Sequence, residues 1–117
     1  MNNTLYGIPN CDTVRKARLW LAGQQQDFIF HDFKKQGLER TTVAHWLAQV
    51  KWDVLVNRKG LTWRGLPDAR KAAIVDAASA LDLMLEFPSV IKRPVLAHAG
   101  QVHVGFSDAQ YQHIFTD

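Results

Sequence analysis

Two short apolar runs with a helical pattern between them, all inside the first 32 residues, leave few folds open to this chain. Residues 3–8 predict a strand. Residues 12–23 predict a helix, because Val14, Ala17 and Leu21 fall at helical spacing and Gly23 offers a stop. After the polar connector Gln24-Gln25-Gln26, the aromatic-rich run Asp27-Phe28-Ile29-Phe30-His31-Asp32 predicts a second strand. A helix between two strands returns the chain to the end where it began, so the strands lie parallel in a βαβ unit.

The pattern then changes. Residues 38–87 carry helical signals and few strand signals. Thr41 or Thr42 is placed to cap a helix with apolar positions Val43, Trp46, Leu47 and Val50. Val54-Leu55-Val56-Asn57 reads as a short apolar turn. Pro67-Asp68 opens a further helical run through Ala69, Ala72, Ala73, Ile74 and Ala77, which continues to Leu85 and stops at Pro88. Strand signals return in Val95-Leu96-Ala97-His98 and Gln101-Val102-His103-Val104. With Ala99-Gly100 between them they predict a hairpin. Ser107 can cap a last helix through Ala109, Tyr111 and Ile114. The order β-α-β, helical insert, β-β-α predicts an α/β fold. Its 117 residues suit a single domain, with a sheet-bearing part at 1–37 and 88–117 and an all-helical insert at 38–87.

Cys11 is the only cysteine, and it falls at the junction between the first strand and the first helix. The amides and positive dipole end of a helix favour a thiolate there, and Arg15 and Lys16 add positive charge nearby. Free cysteine is also a common inert core residue. That reading suits an apolar run and fits poorly between Asn10 and Asp12. A C-x-x-C partner would stand at position 14, which holds Val14. A redox cycle at Cys11 therefore needs a thiol from another molecule, and glutathione is the expected cosubstrate.

Arg58 and Arg93 each lie beside another cation near a turn. A guanidinium suits oxyanions and carboxylates, although either arginine alone is equally well a surface charge. Pro94 directly precedes a strand. It reads as a cis proline or as a trans proline opening an edge strand. His31, His45, His98, His103 and His113 lack the spacing and partners of a metal site, so no metal is expected. His98 and His103 flank the hairpin turn and are placed to face each other. Trp46, Trp52 and Trp63 in the insert read as core packing. The net charge of +3 is spread in isolated pairs, which does not favour nucleic-acid binding. No apolar run is long enough to span a bilayer. The start MNNTLYG has no secretory pattern, and the lone cysteine cannot form an internal disulfide. A cytoplasmic, monomeric protein is the expectation.

The run Tyr6-Gly7-Ile8-Pro9-Asn10-Cys11-Asp12-Thr13-Val14-Arg15-Lys16-Ala17 resembles the start of the arsenate reductase (ArsC)/Spx family. The likeness continues through residues 32–38, 55–60 and 88–96. It is nearest to the YffB branch, small bacterial proteins for which a glutathione-dependent thiol reductase activity has been proposed. The resemblance implies a thioredoxin-like fold with a helical subdomain inserted. It implies that Cys11 is the redox nucleophile, that Arg58 and Arg93 line the site, and that Pro94 stands where such folds carry a cis proline. Asn10 and the amides of Asp12 and Thr13 would then help to hold the thiolate. Arsenate reductases of this family carry a third arginine after the last hairpin strand, where this chain has Gly105-Phe106-Ser107. Spx regulators often carry a C-x-x-C switch and bind RNA polymerase, and Val14 removes that switch. The expected function is a thiol oxidoreductase acting through a mixed disulfide, with no tightly bound cofactor. Glutathione is the expected partner, with glutaredoxin as a second candidate. A glutaredoxin-coupled arsenate reductase and a polymerase-binding regulator are the alternatives.

Overall fold

The computed structural model describes residues 3–116. The described residues divide into two units, one formed by residues 3–36 with 93–116 and the other by residues 37–92.

The first unit is built on a mixed four-stranded sheet of order β2-β1-β3-β4. Strand β1 (Asn3–Gly7) pairs in parallel with β2 (Phe28–Asp32), from Asn3 opposite Phe28 to Gly7 opposite Asp32. Helix α1 (Asp12–Gly23) makes the crossover. On its other side β1 pairs antiparallel with β3 (Val95–His98), Leu5 facing Leu96 and Tyr6 facing Val95. Strand β4 (Gln101–Val104) completes a hairpin with β3. Both turn residues take positive φ, Ala99 at 53° and Gly100 at 79°, as a tight hairpin turn that follows the sheet's twist requires. Helix α2 (Phe33–Gln36) directly follows β2, and α8 (Asp108–Ile114) closes the unit. Ser107 caps α8 as expected, its hydroxyl accepting from Gln110 N–H at 3.1 Å.

Alternation along β1 sends Leu5 to the face where Leu96 also points. Leu5 and Leu96 are fully buried with Ala17 and Leu21 of α1 and Tyr111 of α8, and Trp20, Phe28, Phe30, Phe106, Ile114 and Phe115 pack around them. Asn3 is a buried polar residue of the same sheet. Its Nδ2 donates to the Asp27 carbonyl at 2.9 Å, and its Oδ1 meets His98 Nδ1 at 2.6 Å, so both ends of its amide are engaged. Gly7 has a packing reason to be glycine. A Cβ there would come within 2.7 Å of Val14 Cγ2, so the bare backbone lets α1 lie close on β1.

The second unit holds five helices among the described residues: α3 (Arg40–Gln49), α4 (Trp52–Leu55), α5 (Leu61–Arg64), α6 (Asp68–Ala72) and α7 (Ala77–Glu86). A 3₁₀ turn (Pro88–Val90) follows. Three expectations shift here. Helix α3 starts earlier than the threonines suggest: the Glu39 carbonyl accepts from Thr42 and Val43, and Thr41 and Thr42 ride in the first turn. The apolar stretch at 54–57 is a short helix and then a strand-like bridge from Val56 to Ile91. The alanine-rich run after Pro67 breaks into two helices. Asp76 leaves the helical conformation, accepts from Ser79 N–H at 2.9 Å, and forms a capping box that starts α7 afresh. Trp46 is buried in this unit, while Trp52 and Trp63 are half-buried.

Gly7→Ala should destabilise the protein by about 1–3 kcal/mol, because the stiff Val14 side chain cannot swing away. Val14→Ala in the same chain should recover part of that loss, so a urea double-mutant cycle should show favourable coupling. Strict additivity would rule out the close-approach explanation. The Tyr111 hydroxyl is buried with no hydrogen-bond partner among the described residues, and burial holds its phenol far above the usual range. Tyr111→Phe should therefore raise stability by about 1 kcal/mol in thermal unfolding. A marked loss would show that the hydroxyl is satisfied.

Candidate functional site

Cys11 is the N-cap of α1. Its backbone is extended, at φ −103° and ψ 129°, and its carbonyl accepts from Arg15 N–H at 2.9 Å. The side chain is half-buried. An N-cap side chain faces the amides two and three residues on. Here those are Thr13 and Val14, and both act on the sulfur, although neither makes a close capping hydrogen bond to it. Asp12 holds the first helical position, and its carboxylate accepts from Arg15 at 3.1 Å across the surface. Asn10 lies exposed in the turn before Cys11.

The charged partner of the sulfur comes from far along the sequence. With Tyr6 opposite Val95, the residues before Val95 run alongside those that follow Tyr6. The pairing therefore carries Arg93 and Pro94 to the end of β1 from which the chain reaches Cys11. The Arg93–Pro94 peptide is cis, Pro94 is buried, and its carbonyl accepts from Gly105 N–H at 2.8 Å. Strand β3 is interior, so Pro94 does not open an edge strand. Gly105 has φ 81°, in the left-handed region where glycine is at ease.

Burial pushes the Cys11 thiol up. Against it act the Val14 amide, the hydrogen bond and charge of the Arg93 guanidinium, and the Thr13 amide. Together they hold the thiol below its ordinary value. The cation that matters is thus Arg93. Arg15, the neighbour that sequence places nearest, is engaged with Asp12. The role of the Val14 amide was missed in the sequence, although the capping rule would have located it once Cys11 was recognised as the N-cap.

Arg58 belongs to the second unit. It is exposed, and its guanidinium lies over the Trp52 ring at 5.6 Å. His98 is held by Asn3 and packs on Phe115 at 4.4 Å between ring centres. Burial and then the charge of His98 lower the His103 pKa. Among the described residues no three His, Cys, Asp or Glu side chains are placed to share a metal ion. No described helix is long and apolar enough to cross a membrane.

A βαβ segment and a ββα segment sharing one sheet, with a thiol at the first helix start and a cis proline before β3, define the thioredoxin-like class. Solved structures bear this out. A YffB protein superposes with a TM-score of 0.92 at 43% identity, covering 97% of this chain and 99% of its own. An arsenate reductase (ArsC) related protein from Brucella melitensis is 50% identical with a TM-score of 0.77, covering 99% of this chain and 96% of its own. The global transcriptional regulator Spx 1 of Lactococcus lactis is 27% identical over 107 residues, which are 89% of this chain and 81% of that protein. The ArsC family model matches residues 6–114, and the chain belongs to the ArsC family.

Cys11 reactivity toward a small alkylating agent should rise with pH around a midpoint below that of an unstructured thiol. Because Arg93 favours the thiolate through both its hydrogen bond and its charge, Arg93→Gln should move that midpoint up. Stopped-flow alkylation across pH measures both. An unmoved midpoint in Arg93→Gln would remove Arg93 from the site.

Proposed function

We propose that this chain is a thiol oxidoreductase whose nucleophile is Cys11 and whose second thiol is glutathione. The observation that carries the reading is the Cys11 thiol, held toward thiolate by Arg93 and the first amides of α1. The thiolate attacks the glutathionyl sulfur of a mixed disulfide between glutathione and a substrate. A Cys11–glutathione disulfide forms as the substrate sulfur leaves as thiolate and takes a proton. A second glutathione thiolate then attacks the glutathionyl sulfur, releasing Cys11 thiolate and oxidised glutathione. Glutaredoxin is an alternative donor for this second step. In this reading Arg93, close to the reacting sulfur, favours the thiolate form that must leave, and Arg58 takes a carboxylate of the thiol substrate. Pro94, Thr13, Asp12 and Asn10 frame the thiol. The cycle runs in the cytoplasm, where glutathione is reduced, and the protein acts as a monomer.

Arsenate reduction is the second enzymatic reading, favoured by the likeness to an arsenate reductase related protein. Gly105-Phe106-Ser107 opposes it by leaving out a cation for a multiply charged oxyanion. The likeness to Spx 1 favours a third reading, docking on RNA polymerase without turnover.

Cys11→Ser should abolish both the glutathione adduct seen by mass spectrometry and the reduction of a glutathionylated peptide. Arg58→Ala should mainly raise KM. Full turnover by Cys11→Ser would overturn the mechanism. Sustained arsenate turnover with glutathione and glutaredoxin would promote the second reading. A stoichiometric polymerase complex without thiol turnover would promote the third.

A further inference from the structure

Three of the chain's five histidines line one open cavity of about 560 Å³ within the first unit. The sheet register places two of them. His98 lies two residues beyond Leu96 on β3, and His103 of β4 pairs opposite Leu96. Both imidazoles therefore stand on the face that Leu96 shares with Tyr111 of α8. His113 comes from α8 itself, and Ala109 and Ile114 of that helix supply an apolar wall. Gln110 is anchored there, its Nε2 donating to the Val104 carbonyl at 3.1 Å. His98 is oriented from β1. Asn3 gives Nδ2 to the Asp27 carbonyl and so presents Oδ1 to His98 Nδ1, which must carry the proton. Nε2 is then the polar atom that His98 offers a ligand. His103 and His113 make no hydrogen bond or ion pair among the described residues. Among the described residues no Asp, Glu, Lys or Arg lines the cavity. Asp27 meets Asn3 through its backbone carbonyl alone, and Asp108 of α8 is exposed outside the lining. The cavity lies at the end of the sheet away from Cys11, where β1 begins and β3 ends.

Imidazole titrates near neutrality, so a cavity of this lining is uncharged in mild base and cationic in mild acid. When empty it resists the charge: burial, and then the charge of His98, hold His103 below its ordinary pKa. A bound anion supplies the countercharge that the lining lacks. We propose that this cavity binds a small organic monocarboxylate, its carboxylate among His98, His103 and His113 and its apolar body against Ala109 and Ile114. The charge balance selects a monoanion. Neighbouring imidazoles oppose each other's protonation, so one ligand charge is matched by about one added proton. The apolar wall selects an organic body over an inorganic oxyanion. Binding and proton uptake strengthen each other, so the site fills in mild acid and empties in base. Nothing in this assignment depends on the chemistry of Cys11.

The test titrates benzoate, which stays ionised throughout the range used, into the full-length reduced protein and follows amide and imidazole NMR signals. Saturable shifts should centre on His98, His103, Gln110 and His113. Binding should be about tenfold tighter at about pH 5.5 than at about pH 8, the change produced when one imidazole pKa rises by about one. Saturating benzoate should move the titration midpoint of His103 up. His113→Gln, at an exposed position, and His103→Gln should each weaken benzoate binding and flatten its pH dependence, with a native amide spectrum verifying that each variant folds. Benzamide, with the same ring and no charge, should bind more weakly and equally at both pH values. Absence of shifts at these residues, or equal benzoate affinity at both pH values, would overturn the proposal. So would an unchanged Kd in both histidine variants. Benzamide binding as tightly as benzoate would reduce the site to an apolar pocket, and inorganic sulfate competing as well as benzoate would reduce it to a simple anion site. Either result overturns the assignment.

Discussion

The pairing of β1 with β3 determines what Cys11 can be. On its β2 side, β1 needs only a crossover helix, and many α/β proteins supply one. On its β3 side, the register Tyr6 to Val95 brings a guanidinium from residue 93 to a sulfur at residue 11, across more than eighty residues of sequence. A slip of one residue would turn the β3 side chains to the opposite face and carry Arg93 away. That slip is opposed by the burial of Leu5 against Leu96, and by the Asn3–His98 hydrogen bond at the far end of the same pairing. The core and the chemistry thus share one constraint.

The electrostatics follow from where the charges sit. Burial alone would make Cys11 a poorer thiolate than a free cysteine. Two helix amides and one half-buried arginine reverse this. Exposed Arg15, though closer in sequence, spends its charge on Asp12 in a surface pair that solvent screens.

The parallel βαβ unit and the closing hairpin were legible because each strand is bounded by turn residues and the first crossover has clear helical spacing, whereas the pairing of β1 with β3 was not read. Cys11 was legible as a helix-start thiol for the same reason. The family resemblance placed Arg93 in the site, but spacing alone could not, since the contact depends on strand register, which local sequence does not encode for residues so far apart. The insert was read less well. Its alanine-rich run carries helical propensity throughout, and the side chains of Asp76 and Ser79, competing for backbone amides, mark where one helix ends and the next begins. The short helices α2 and α5 span four residues each, too few to carry a periodicity.

Gly105-Phe106-Ser107 shows how a fold can restrict its own evolution. Gly105 holds a left-handed backbone angle while its N–H reaches the Pro94 carbonyl. Phe106 packs edge-on against Tyr111 at 4.7 Å, and Ser107 caps α8. An extra cation in this stretch would have to displace a backbone conformation, part of a core or a helix cap. No single replacement there is free of structural cost, so a lineage with this loop would widen its anion chemistry more readily by changing exposed side chains elsewhere.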